Sequence, residues 1–102
     1  MAAGREQPTV VRKEMGITHK DFYAELPVLL DNIPYQQTED TIRFQLNGKH
    51  MEIVMDPEEV RQIGHSVRLP VTFVGIRFYG FSEEEISDFV RHFNLRFMKG
   101  GG

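Results

Sequence analysis

The chain contains no cysteine, which excludes disulfides, thiolate zinc sites, iron–sulfur clusters and thiol nucleophiles. That absence suits a reducing compartment. No apolar run approaches the roughly 20 residues that span a bilayer, and residues 1–8 carry no apolar segment like that of a secretory signal. The expectation is a cytoplasmic protein that does not enter the membrane. A surplus of positive charge is also lacking. Twelve basic against fifteen acidic residues leave a net charge of -3, so the chain as a whole has no pull on phosphate backbones or anionic lipid. The remainder is ordinary for a folded protein, with 40% apolar and 26% charged residues in a length of 102. These values predict one globular domain over residues 9–99 with frayed ends at 1–8 and 100–102. At this size a partner subunit often supplements the core.

Motifs that carry chemistry are missing too. His19, His50, His65 and His92 are widely spaced, and none forms the His-x-x-x-His or His-x-His pair that would put two metal ligands on one element. The serines (Ser66, Ser82, Ser87) sit in no Gly-x-Ser-x-Gly elbow. Gly75 and Gly80 build neither the dinucleotide fingerprint nor a Walker loop. Glu58-Glu59 and Glu83-Glu84-Glu85 each open a predicted helix, where exposed amides favour negative charge, so capping accounts for both clusters. No catalytic residue, metal or cofactor is assigned.

What the chain does contain is local structural code. In Ile17-Thr18-His19-Lys20-Asp21-Phe22, Thr18 reads as an N-cap with Asp21 at N3, and Ile17 is placed to staple onto Phe22. Phe22, Leu26, Leu29 and Leu30 supply the inward stripe of this helix. Pro27 predicts a kink or break within it. Ser82 with Glu85 repeats the device, Phe81 and Ile86 form the staple, and Ile86, Phe89, Val90, Phe93 and Phe97 follow at the spacing of one buried stripe.

Between these helices the pattern alternates with period two. Residues 35–38, 41–46 and 49–55 read as an antiparallel meander, and 9–15 as an edge strand of poor alternation. Asn47-Gly48 is a type I′ hairpin signal, because both residues tolerate positive φ. Its two-residue loop sets the register: Leu46 faces Lys49, Gln45 faces His50, Phe44 faces Met51, Arg43 faces Glu52 and Ile42 faces Ile53. A turn at Glu39-Asp40 would likewise set Tyr35 beside Phe44. Asp56-Pro57-Glu58-Glu59 predicts a short helix, with Asp56 as cap, Pro57 at N1, Glu59 closing the box, Val60 and Ile63 as its apolar face and Gly64 as its end. Arg68 to Tyr79 is the longest strand. The expected fold is an α+β two-layer sandwich, a mostly antiparallel sheet of four or five strands. Helices over 18–30 and 82–98 cover one face, and a short helix connects.

One surface stands out. If Val74, Ile76 and Phe78 face the helices, Val71, Phe73, Arg77 and Tyr79 point the other way, with a dent at Gly75. A half-buried strand should be polar there; aromatics and arginine are instead enriched at binding hot spots. A second copy, the segment 9–15, a different protein, a small ligand or a nucleic acid would each cover such a face. If the long strand neighbours the hairpin, Arg43, His50, Glu52 and Arg77 share its side. The candidate binding residues are thus Arg43, His50, Glu52, Phe73, Arg77 and Tyr79. The expected role is a homodimeric protein-interaction or accessory domain with an unidentified protein partner. Alternatives are a small-molecule-binding protein or small enzyme using a groove near Arg43, His50, Glu52 and Arg77, and a weak nucleic-acid binder. The last is disfavoured by the acidic balance and by the lack of a basic stripe or an RNA-recognition aromatic motif.

Overall fold

The computed structural model describes residues 7–98. Its elements run β1 (Thr9–Met15), α1 (His19–Leu30), β2 (Tyr35–Thr38), β3 (Thr41–Leu46), β4 (Lys49–Met55), β5 (Glu59–Ile63), β6 (Val67–Phe78) and α2 (Glu83–Met98). This is an α+β fold with an antiparallel sheet of six strands and two helices. The main path is β1-β6-β4-β3-β2, and β5 pairs with β6 beside it. The frayed ends expected at 1–8 and 100–102 lie outside the described residues except for Gln7 and Pro8.

Turn chemistry accounts for the β3–β4 hairpin. Asn47 and Gly48 take φ of 54° and 78°, the left-handed pair that a type I′ turn requires. Every pair expected from that turn is present, from Leu46–Lys49 to Ile42–Ile53, and Tyr35 lies opposite Phe44 on β2. β6 then docks along the outer edge of β4, with Glu52 opposite Arg77 and Ile53 opposite Ile76.

Alternation sends one set of side chains to the core. Ile42, Phe44, Met51, Ile53, Val74, Ile76 and Phe78 form one buried cluster with Phe22, Leu26, Leu29 and Leu30 of α1 and with Phe89 and Phe93 of α2. Both helices are capped as their sequences indicate: the Asp21 amide donates to Thr18 Oγ1 at 3.1 Å, and the Ser82 and Glu85 amides exchange hydrogen bonds with each other's side chains at 2.8 and 3.1 Å. α1 continues through Pro27 without a break and ends where Asp31 turns left-handed and its amide donates to the Pro27 carbonyl. Pro27 cannot donate to the Tyr23 carbonyl, but burial of Leu26, Leu29 and Leu30 holds the last turn against that loss.

The short connecting helix is not formed. Residues 59–63 make β5, which pairs Glu59 with Val71 and Ile63 with Val67. Asp56-Pro57-Glu58 is a good helix start, but the main-chain groups of a strand bonded to β6 are satisfied by pairing, and a five-residue segment gains little as a helix. The caps are redirected. Glu58 Oε1 accepts the His19 amide at 2.8 Å, and the Asp56 carbonyl accepts from His19 Nε2 at 2.8 Å, so both serve the start of α1. Three residues, 56–58, stand against Thr72 and Phe73, a bulge separating β4 from β5. Beyond it the β5–β6 hairpin projects as an arm on which residues 56–69 are all exposed.

Candidate functional site

Alternation leaves the second face of the sheet to be built from Val10, Arg12 and Glu14 on β1, Phe73, Gly75 and Arg77 on β6, His50, Glu52 and Val54 on β4, and Arg43 and Gln45 on β3. None of these belongs to the buried cluster and none is itself buried. The segment 9–15, a candidate cover, lies in the plane of the sheet, where it pairs with β6 from Phe78 to Thr72. Arg61 Nη2 and Glu14 Oε2 meet at 2.6 Å across β6, diagonally over the position of Val71, which is buried yet outside the core cluster.

At the centre of this face stands Glu52. Its carboxylate takes a hydrogen bond from Arg77 Nη1 at 3.2 Å, lies 2.9 Å from His50 Nε2, and is 3.4 Å from Arg43 Nε. Partial burial pushes the Glu52 carboxyl upward, but the hydrogen bonds with His50 and Arg77 and the charges of His50 and Arg43 outweigh it, holding the group below its ordinary value. The Tyr79 ring tilts beside His50 with centroids 5.2 Å apart, and the Tyr79 amide donates to the His50 carbonyl at 3.1 Å. Two guanidinium groups thus share one carboxylate, so the cluster carries a surplus of positive charge on a chain that is acidic overall. Both arginine side chains remain 44% exposed, which leaves their other N–H groups free to bind.

The structure brings Arg43, His50, Glu52, Arg77 and Tyr79 together. It does not bring Phe73, which lies four positions along β6 from Arg77 and opposite Glu14. Between them Gly75 is open, since a Cβ there would meet nothing within 4 Å. Sequence reasoning missed the far side of Arg43. There Pro34, Tyr35, Gln36 and Gln45 join Arg43 and His50 around a shallow depression of about 540 Å³. The register that sets Tyr35 beside Phe44 also sets Gln36 beside Arg43, and that was the available signal.

Among the described residues, no group of three or more His, Cys, Asp or Glu side chains is placed to hold a metal ion, and no helix is long and apolar enough to cross a membrane. His19 and His92 spend ring nitrogens on main-chain carbonyls, of Asp56 and Leu29 respectively. Comparison with protein-family models, curated proteins and solved structures found no match.

Proposed function

We propose that the protein is a binding module whose working surface is the open face of the sheet, and that it docks a protein partner presenting a carboxylate between Arg43 and Arg77. The observation that carries this reading is the shared carboxylate of Glu52. It aligns two half-exposed guanidinium groups on a firm strand framework without neutralising both. Such preset forks bind carboxylates with good geometry. Tyr79, half-buried against His50, and the gap at Gly75 add a flat aromatic edge and room for an incoming side chain.

Affinity capture from native cell extract tests the proposal. Wild type should retain a specific protein, and Arg43→Ala/Arg77→Ala should lose at least about tenfold in affinity, the loss of roughly one strong charged contact. Equal capture by the double variant would remove the arginines from the interface. The depression lined by Arg43, His50, Gln36 and Gln45 supports a second reading, a small anionic ligand held at the edge of the same face. Glu52 and Arg77 lie outside its lining, which ranks this reading second. A metabolite that co-purifies in equal proportion while no protein is retained would reverse the order.

A further inference from the structure

Among the described residues, half of the eight exposed large apolar ones, Val60, Ile63, Val67 and Leu69, sit on the β5–β6 arm. A two-stranded ribbon is marginal in water without a third strand or a covering layer. The arm has two free edges, and they differ. Asp56 N–H donates to the Phe73 carbonyl and Tyr79 N–H to the His50 carbonyl, so odd-numbered residues of β6 aim their main-chain groups at β4 and β5, and even-numbered ones aim the other way. On that other side the Pro70 carbonyl lies against Gly16, 3.8 Å from where a Cβ there would stand, and Pro70 offers no N–H. This edge is guarded against pairing. The outer edge of β5 has no such guard. Glu59 and Arg61 pair with the odd-numbered Val71 and Leu69 and so aim at β6, while the main-chain groups of Val60 and Gln62 point outward with no strand of the described residues beside them.

We propose that β5 is a self-association strand, pairing antiparallel with β5 of a second copy about a two-fold axis through Val60. Charge selects both occupant and register. With Val60 opposite the partner's Val60, each Glu59 faces the partner's Arg61, so both cross-strand neighbours are of opposite sign; Arg61 then stands between Glu14 of its own chain, 2.6 Å away, and the incoming carboxylate. Shifting by two residues would keep the hydrogen-bonding phase but set Arg61 against its own copy. In the selected register Val60, flanked by Pro70 across the arm, meets the same pair from the other chain, giving a continuous apolar row. The ribbon becomes four-stranded, its outer edges end in Pro70, and the assembly closes as a dimer. The contact is small, so association falls in the micromolar range. It leaves Arg43 and Arg77 untouched, and Arg43→Ala/Arg77→Ala therefore stays dimeric whatever becomes of its partner binding.

The absence of cysteine makes the test clean. Under mild oxidation Val60→Cys should form a covalent dimer, since directly paired residues bring Cα atoms within the roughly 4.4–6.8 Å that a disulfide bridges. Arg61→Cys, displaced from its copy by two positions, should not. By sedimentation equilibrium wild type should be a dimer at hundreds of micromolar. In a Glu14→Gln background, which removes the partner that Arg61 has within its own chain, Arg61→Glu should weaken it at least tenfold, and Glu59→Arg/Arg61→Glu should restore it to within about threefold, with circular dichroism confirming the fold of each. A wild-type chain that stays monomeric, equal cross-linking at both positions, or a double variant no tighter than Arg61→Glu would each overturn the proposal.

Discussion

Glu52 shows how one residue can organise a surface. Its carboxyl titrates lower in the folded chain than in the unfolded one, so the unfolded state takes up the proton first as pH falls. The stabilisation it contributes is complete above the unfolded carboxylate value of about 4.3 and disappears as pH drops through that value toward the folded one. Glu52→Gln should therefore be less stable than wild type at pH 7, on the order of 1 kcal/mol or less because its arginine partners are half exposed to screening solvent. The gap should close as pH falls below the unfolded value of about 4.3, which urea denaturation across a pH series will measure. Part of this was legible before the structure. The Asn47-Gly48 turn counts residues, and counting puts Arg43 opposite Glu52. Arg77 was legible only conditionally, because its place depends on β6 choosing β4 as a neighbour, a long-range event with no local code.

At the level of elements, signals that act within a few residues were honoured, while those competing with distant partners were overruled. Thr18 and Ser82 cap the helices they precede, and Glu85 of the second box also accepts from Lys49 Nζ at 2.7 and 2.9 Å, tying α2 to the β3–β4 turn. Ser82→Ala removes the acceptor for the Glu85 amide and should cost about 0.5–2 kcal/mol in chemical denaturation. An unchanged midpoint would mean that the tie to Lys49 alone fixes the helix start. Asp56-Pro57-Glu58-Glu59 carries equally good capping code and still precedes a strand. Val60 and Ile63 fit a helical face by spacing, but Val67 and Leu69 stand ready across a turn at Gly64, whose φ is 67°. Pairing satisfies more main-chain groups than one helical turn could. The outward parity of Val60, on which self-association rests, exists only because that strand forms.

The whole molecule divides into a firm part and a free part. Every member of the buried cluster lies in α1, β3, β4, α2 or the Val74–Phe78 stretch of β6, and the arm contributes none. In hydrogen exchange at concentrations too low for association, arm amides from Glu59 to Leu69 should exchange through small local openings. Those of Phe44, Met51, Ile53 and Ile76 should exchange only with global unfolding. Equal protection throughout would mean that the arm is part of the core after all. The arm also sets the outline. β6 alone spans about 40 Å at the usual rise per residue, and the extents are 55 × 24 × 24 Å with a radius of gyration of 14.8 Å, against about 12–13 Å for a compact chain of this length. A body of that outline meets more friction than a sphere of its mass. One copy will elute from a sizing column ahead of compact standards, and the number of copies must be taken from a measurement that weighs the particle.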